Sequence, residues 1–322
     1  MNKQGGPAAR GIAPARVLVV GESLVDIVRT SGGDAVHPGG SPLNVAVGLQ
    51  RLDVPATLHS SIGTDANGIA IARRLEVSGV AITPGTIRDH ATSVALVTIG
   101  QEGSASYTFS IDWDPAPAEI VGESIDALHV GSIGAALEPG ATMVEELMAE
   151  LRPSAIISFD PNIRPQLMGP VDIARPRVER LVALSDVVKA SDEDLAWLYP
   201  TATVSEVVED WLARGPAVVV VTRGGAGVDA LTAHGAVHVS APSTQVVDTI
   251  GAGDSFMSGL LAALSDLELL RVDRREALRA LSVDDTTGIL QFAARCAALT
   301  VSRPGADPPS RADLEAERHS GA

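Results

Sequence analysis

Residues 248–254, Asp-Thr-Ile-Gly-Ala-Gly-Asp, combine residue types and spacing that suit phosphoryl transfer. The two glycines permit a tight turn and a close approach of a ligand to the backbone. A helix is predicted over residues 255–264, so the N–H groups of Gly251, Ala252 and Gly253 would form an anion hole at its N-terminus. Beside that hole, Asp254 would accept the proton of a substrate hydroxyl while the hole stabilises the phosphoryl charge.

A plainer interpretation of residues 248–254 is a glycine-rich turn with a capping aspartate. The segment specifies several positions at once, and its chance occurrence in a chain of this composition is on the order of 10⁻⁴. We therefore interpret it as a phosphoryl-transfer site with Asp254 as the catalytic base.

The surrounding sequence predicts a doubly wound, mostly parallel sheet flanked by helices, because β-branched runs alternate with amphipathic stretches from Arg16 onward. The continuous apolar run at residues 217–221 is typical of a central strand buried on both faces. The other predicted strands lie at residues 17–20, 56–62, 127–130, 155–159 and 186–189, with a strand-like segment at 245–247, and helices are predicted at residues 44–52, 68–77, 143–151 and 192–198.

Two excursions, at residues 27–38 and 92–112, are β-rich and contain no helix, which predicts a small sheet that projects from the main body as a lid. Glycines at residues 32–33 and 100–103 are expected to form the turns. A further hairpin is predicted at residues 228–239. We therefore predict one domain over residues 16–310, with disordered tails at residues 1–14 and 312–322.

Composition excludes several classes of function. The 322 residues carry a net charge of −16, with a pI of about 4.8, which disfavours nucleic-acid binding and docking on an anionic membrane. A local pocket of backbone N–H groups and arginine can still bind ATP. Cys296 is the only cysteine, which indicates a cytoplasmic protein without an internal disulfide. No apolar run approaches the roughly 18 residues of a membrane span, and the scattered histidines predict no zinc site.

Residues 248–254 resemble the second signature of the ribokinase-like (PfkB) carbohydrate kinases, and the resemblance extends from about Val17 to Pro309. It implies a ribokinase-like fold and an ATP-dependent kinase that phosphorylates a primary hydroxyl of a sugar. The further matching segments, in family order, are residues 39–46 with Arg51-Leu52, residues 63–68, residues 160–165 and residues 222–227.

The resemblance also implies a role for each matching residue. Asp254 would be the base, with Gly251, Ala252 and Gly253 as the anion hole. The sugar would contact Asp26, Gly39, Gly40 and Asn44. Nucleotide and phosphates would lie near Lys189, Ser191, Thr222, Gly224 and Gly227, with Mg²⁺ near Asp194. A monovalent cation, K⁺, would be held near Asp248, Ile250, Thr300, Arg303 and Gly305.

The chain departs from the family pattern in two segments. Ser191 and Asp194 replace the usual Asn and Glu, which shortens the reach towards Mg²⁺. Pro309 replaces a hydroxyl residue that is common at the end of the cation loop.

Within the family, residues 21–26, 131–133 and 160–165 most resemble fructokinases, so fructose is the expected substrate. The planar guanidinium of Arg164 would clamp the γ-phosphate or an anionic group on the sugar. The second possibility keeps 2-keto-3-deoxygluconate kinase as an alternative, and a ribose or nucleoside substrate also stays open. Tyr107 and Phe109 would either cover the sugar ring or pack the lid hairpin against the body.

Two expectations concern the protein as a whole. A homodimer is expected through the lid, because its strands offer an exposed edge. The rival from a different class is a non-catalytic sugar-binding regulator on the same fold, which the intact segment 248–254 argues against.

Overall fold

The structure is a computed structural model that describes residues 13–30, 33–99, 105–119 and 124–320. These residues form a sheet of nine strands, in the order β13-β12-β11-β10-β9-β8-β1-β4-β5, and a second sheet of four strands, in the order β3-β2-β6-β7. The strands are β1 (Val17–Val20), β2 (Leu24–Thr30), β3 (Gly33–Gly39), β4 (Ala56–His59), β5 (Ala81–Ile82), β6 (Ser93–Ile99), β7 (Ala105–Ser110), β8 (Ala127–Gly131), β9 (Ile156–Asp160), β10 (Val187–Ser191), β11 (Val218–Thr222), β12 (Val228–Thr232) and β13 (Gly235–Val239).

The helices cover both faces of the large sheet. They are α1 (Ser41–Arg51), α2 (Ala66–Ser78), α3 (Gly140–Leu151), α4 (Pro165–Met168), α5 (Val171–Leu184), α6 (Asp192–Leu198), α7 (Val204–Ala213), α8 (Ala252–Asp266), α9 (Arg275–Arg279), α10 (Val283–Val301) and α11 (Arg311–Ser320). Within the described ranges, none of them is long and apolar enough to cross a membrane.

The large sheet is parallel from β5 to β11 and antiparallel only at its β12–β13 edge. This confirms the predicted doubly wound, mostly parallel fold. Because parallel strands all point the same way, the carboxyl ends of β1, β8, β9, β10 and β11 meet at one edge, where ligands bind in sheets of this kind.

Two hydrophobic cores lie on opposite faces of the large sheet. The alternation of side chains along β1 separates them, because Val17 and Val19 belong to the core that includes α1, α8 and α10, whereas Leu18 and Val20 belong to the core that includes α3, α5 and α7. The burial of both faces explains why the central strands are continuous runs of Val, Leu and Ile.

The small sheet pairs β2 antiparallel with β3 and parallel with β6, and β6 antiparallel with β7. Leu24 and Ala95 pack with Ile133 of the main body, and Phe109 packs against them. The four strands confirm the predicted β-rich excursions. The turns predicted at residues 32–33 and 100–103 fall largely outside the described residues.

Two expectations from the sequence require correction. Residues 245–247 form no strand, and Val246 and Val247 are 62% and 55% exposed. Residues 312–320, expected to be a disordered tail, belong to α11, whose Leu314 is buried and whose Glu317 pairs with Arg295 at 2.8 Å. Ser310 accepts a hydrogen bond from the Asp313 amide and so caps the start of this helix.

Candidate active site

The carboxyl edge of the large sheet brings a buried ion pair to the centre of the candidate site. Asp160 ends β9, and Lys189 lies near the end of the neighbouring strand β10. Nζ of Lys189 lies 2.7 Å from Oδ2 of Asp160, and both side chains are almost fully buried. The amide of Asn162 also donates to Oδ1 of Asp160.

The electrostatics of this pair depend on the carboxylates around it. Burial raises the pKa of Asp160 to about 6, although Lys189 opposes the shift. Burial alone would lower the pKa of Lys189, but Asp160, Asp194 and Asp254 together raise it. At neutral pH the pair is therefore ionised, and Lys189 places a positive charge close to Asp254.

The carboxylate of Asp254 lies in the first turn of α8 and is held by the start of α1. The Ser41 hydroxyl donates to Oδ1 over 2.6 Å, and the Asn44 amide Nδ2 donates to Oδ2 over 2.8 Å. Asp254 retains 9% exposure. The two donors fix the carboxylate in one orientation at the bottom of the site.

The turn before α8 presents backbone amides next to Lys189. Gly251 has φ +74°, a left-handed conformation that favours glycine, and a Cβ there would lie 2.6 Å from Cβ of Ala306. The Ala252 amide donates to the Thr249 carbonyl over 3.3 Å. Among the described residues no acceptor is found for the amides of Gly251 and Gly253, so these are the groups left for an anion. A Cβ on Gly253 would lie 3.1 Å from Nζ of Lys189.

The residues predicted to bind sugar converge where the small sheet meets the body. Asp26 on β2 lies against Gly39, where an added Cβ would be 2.5 Å from its Oδ2. Burial raises the pKa of Asp26, while the charges of His37, Arg164 and Arg74 oppose the shift. Among the described residues, no group donates a hydrogen bond to this carboxylate. Its oxygens are thus available to the hydroxyls of a ligand.

One aromatic and one cationic candidate, Phe109 and Arg164, border the cradle around Asp26, which is the place where the small sheet meets the body. Asp26, Ala95 and Phe109 are in register across β2, β6 and β7 and share one face of the small sheet. The side chain of Tyr107 lies outside the described part of the structure. Arg164 is exposed and donates to the Ile163 carbonyl over 2.9 Å, and its positive charge opposes the rise that burial causes in the pKa of Asp26.

The backbones of Gly40 and Glu22 pack together beside this cradle. Gly40 has φ +107°, and a Cβ there would be 2.6 Å from the Glu22 carbonyl oxygen. The Glu22 carboxylate is buried and accepts from the Gly134 amide over 2.7 Å. Burial raises its pKa to about 7. Trp113 donates to the Gly134 carbonyl over 2.9 Å, so the indole supports the same turn.

The Asp194 carboxylate links the loop after β9 to the end of β10 by hydrogen bonds. Its Oδ1 accepts from the Ile163 amide over 2.7 Å and its Oδ2 from the Ser191 amide over 2.8 Å, while Ser191 Oγ accepts from the Asp194 amide. This capping box starts α6 and positions the loop that carries Arg164. No group of three acidic, His or Cys side chains that could hold a metal is found among the described residues.

The segments predicted to hold a monovalent cation are brought together. Asp248 Oδ1 accepts from the Ile250 amide over 3.0 Å, and its Oδ2 accepts from the Gly305 amide over 2.8 Å. The Arg303 amide donates to the Thr300 carbonyl over 3.0 Å, which closes the turn after α10. Asp248 thus links the loop before the helix α8 to the loop after α10.

The predicted nucleotide residues follow β11. Thr222 ends that strand in register with Ser191 and donates to the Ala190 carbonyl over 3.4 Å. Gly224 has open space around its Cα, whereas a Cβ on Gly227 would be 2.2 Å from the Val239 carbonyl oxygen. Gly224 can therefore contact a ligand, and Gly227 allows β13 to pack closely.

Sequence reasoning missed three residues of the site. Ser41 lies within the matching segment 39–46, which implies no role for it, although it donates directly to Asp254. Glu22 lies within the fructokinase-like segment 21–26, which implies no role for it either. Arg74 on α2 had no signal at all, yet it donates to Oδ1 of Asn44 over 3.0 Å. Its contacts join segments distant in sequence, which local patterns do not reveal.

Comparison with known proteins identifies the family of this chain. Residues 14–313 match the family described as pfkB family carbohydrate kinase. The fructokinase of Escherichia coli is 34% identical over 320 residues, which cover 94% of this chain and 99% of that protein. The fructokinase of Rhizobium leguminosarum bv. trifolii is 34% identical over 265 residues, covering 79% and 81% respectively.

Solved structures show the same relationship. Fructokinase from Xylella fastidiosa with bound ATP superposes with a TM-score of 0.82 at 25% identity, covering 95% of this chain and 99% of that chain. A double mutant of fructokinase from Vibrio cholerae O395, in a form with fructose, ADP and potassium ion bound, gives 0.78 at 27% identity, with the same coverage. The chain belongs to the pfkB family of carbohydrate kinases and has the ribokinase-like fold.

Proposed function

We propose that this protein transfers the γ-phosphoryl group of ATP to the 6-hydroxyl of fructose, with Asp254 as the catalytic base. The observation that carries the proposal is the position of the Asp254 carboxylate. It is held by Ser41 and Asn44 on the sugar side. On the other side lie the Gly251 turn and the charge of Lys189. A hydroxyl bound there would meet a base and an anion hole together.

Each part of the site has a separate task in this reaction. Asp26 would accept hydrogen bonds from hydroxyls of the sugar, and the small sheet would exclude water from the closed site. Asp254 would take the proton of the attacking hydroxyl. The amides of Gly251 and Gly253, with Lys189, would stabilise the charge on the transferring phosphoryl group. Catalysis of phosphoryl transfer depends mainly on such positioning and charge stabilisation.

Magnesium fits this site only as an ion held by phosphate and water. Both oxygens of Asp194 are engaged by backbone amides, so this carboxylate offers little direct ligation. Mg²⁺ commonly keeps several waters and binds substrate phosphates through one or two carboxylates. We therefore propose that the ATP phosphates carry the ion, which neutralises their charge.

Potassium activation and a homodimer are also proposals. The carbonyl-rich loops that Asp248 joins support a monovalent cation beside the Gly251 turn, and the Vibrio cholerae structure contains a potassium ion. The small sheet has β3 and β7 as its edges, which supports pairing between two copies. The buried, unpaired Cys296 agrees with the cytoplasmic location expected from the sequence.

The choice of fructose rests on the relatives and is tested by a substrate panel. Phosphorylation of fructose, ribose, 2-keto-3-deoxygluconate and adenosine is measured with ATP and Mg²⁺ as kcat/KM. We expect fructose to exceed each of the others by at least about 10-fold. A preference for 2-keto-3-deoxygluconate would assign Arg164 to an anionic sugar, and no turnover of any sugar would favour a binding protein.

A further inference from the structure

Arg74 connects three segments of the candidate site through one guanidinium group. Its Nη1 donates to the carbonyl of Pro38 at the end of β3. Its Nη2 donates to Oδ1 of Asn44 over 3.0 Å and to the carbonyl of Ala306 over 2.8 Å. We propose that Arg74 is a positioning residue that orients Asn44 towards the base and joins the sugar cradle to the loop behind the anion hole. This role rests on the function proposed above.

The first step concerns the orientation of the Asn44 side chain. Its amide has one acceptor end and one donor end, and only one arrangement satisfies both neighbours. Arg74 can only donate, so it must face Oδ1, and Nδ2 is then directed at Oδ2 of Asp254, 2.8 Å away. Without the guanidinium, the hydrogen bond to Asp254 alone orients the Asn44 amide, and nothing holds its Oδ1 end in place.

The second step concerns the loop behind the phosphate site. Ala306 lies so close to Gly251 that an added Cβ on Gly251 would be 2.6 Å from Cβ of Ala306. By holding the Ala306 carbonyl, Arg74 fixes the surface on which the Gly251 turn rests. Its bond to Pro38, directly before Gly39 and Gly40, fixes the cradle that contains Asp26.

The third step explains why arginine is needed. Three oxygens in different directions are reached by one planar fork of N–H donors, which a single ammonium group does not reproduce. Burial and the charge of Arg51 lower the pKa of Arg74, while Asp307, Asp254 and Asp26 oppose the shift. An arginine guanidinium stays protonated in proteins, so Arg74 also brings a positive charge to the region of Asp254 and Asp26.

The test uses Arg74→Lys and Arg74→Met in the full chain, with Arg73→Met as the matched control, since Arg73 is the exposed neighbour on α2. We expect kcat for fructose to fall about 100-fold in both Arg74 variants, as for a base misplaced by a fraction of its hydrogen-bond distance. Arg73→Met should stay within about 2-fold of wild type.

A double-variant cycle separates positioning from a general loss of stability. If Arg74 acts through Asn44, the loss of kcat in Arg74→Met/Asn44→Ala falls at least about 10-fold short of the product of the two single losses. Losses that multiply would overturn the proposal. Arg74→Lys keeps the aliphatic part of the side chain and the positive charge. If Arg74→Met is too unstable to purify, Arg74→Lys replaces it in the double-variant cycle.

Amide hydrogen exchange tests the same role without any turnover. Arg74→Met, or Arg74→Lys in its place, should exchange faster at residues 38–44 and at residues 302–307, while Arg73→Met should not. Faster exchange confined to α2 would refute the positioning role. If the wild-type protein phosphorylates no sugar, the proposed function fails, and the exchange result still decides whether Arg74 holds the two segments together.

Discussion

Replacing Lys189 with methionine should leave the carboxylate of Asp160 buried without its partner. Asp160 is 1% exposed, and Nζ of Lys189 is 2.7 Å from its Oδ2. Two unit charges at that separation attract by about 6 kcal/mol at an effective dielectric constant of about 20. The cost of burying both charges offsets part of this attraction, and breaking such a pair typically costs about 3–5 kcal/mol. We expect a loss of unfolding free energy in that range at about pH 8.

The loss should depend on pH in a defined direction. The pKa of Asp160 is already raised to about 6, and it rises further when the charge of Lys189 is removed. A carboxyl with a raised folded-state pKa contributes stability at low pH that is lost as pH rises from its unfolded value to its folded value. The deficit of Lys189→Met should therefore shrink at about pH 5, where Asp160 is protonated in both proteins, and grow by about 1.4 kcal/mol per unit as pH rises above about 6.

The assay is urea unfolding followed by tryptophan fluorescence, with buried Trp113 and Trp211 as reporters. The control is Lys189→Met/Asp160→Asn, which removes both charges and keeps an oxygen for the Asn162 amide. It should recover most of the lost stability. A loss below about 1 kcal/mol at about pH 8, or one that is equal at both pH values, would refute the buried ion pair.

Three further outcomes are expected. Glu22→Gln should remove a pH-dependent loss of stability, because burial raises the pKa of Glu22 from 4.5 to about 7. Relative to the variant, the wild type should lose about 3 kcal/mol of unfolding free energy as the pH rises from 4.5 to about 7. Stability curves that run parallel for the two proteins would contradict this. Gly251→Ala should lower the free energy of unfolding by about 1–3 kcal/mol because of its left-handed φ and the Ala306 contact, whereas Gly225→Ala, with open space around it, should change it by less than about 0.5 kcal/mol. Arg164→Lys should lower kcat/KM for fructose about 10-fold or more, and unchanged kinetics would place the guanidinium outside the reaction.

Much of the fold was predictable because hydrophobic periodicity reports local burial. The apolar run at β11 and the alternation in β12 and β13 directly reflect which faces are covered. The prediction of a strand at residues 245–247 was wrong because consecutive valines are typical of a buried strand, whereas Val246 and Val247 lie on the surface. The segment is held through one bond from the Val247 amide to the Val301 carbonyl, which no local pattern encodes.

The expectation of a disordered end failed for a different reason. Residues 311–320 are polar overall, yet Leu314 buries against the core and Arg295 pairs with Glu317. The Ser310–Asp313 cap was visible in the sequence as a serine followed three residues later by an acid. The apolar contact and the ion pair depend on the position of α10, which only the tertiary structure supplies.

The site also contains residues that the sequence predicts and residues that it does not. The residue types of segment 248–254 predict a role in phosphoryl transfer for Asp254 and its glycine turn, whereas the role of Asp26 is implied by the family resemblance alone. The donors that hold Asp254 and Asn44 were not predictable, because Ser41 and Arg74 act across 213 and 30 residues of sequence respectively. Hydrogen bonds of this range leave no period or spacing in a single sequence.

The turnover of Asp254→Asn tests the central claim most directly. This variant keeps the shape of the side chain and removes its ability to take a proton, and exposed Asp284→Asn on α10 serves as the control. Phosphorylation of fructose by Asp254→Asn should fall about 10³-fold or more, with the Kd for ATP within about 2-fold of wild type. Wild-type turnover in that variant would contradict the assignment of Asp254 as the base.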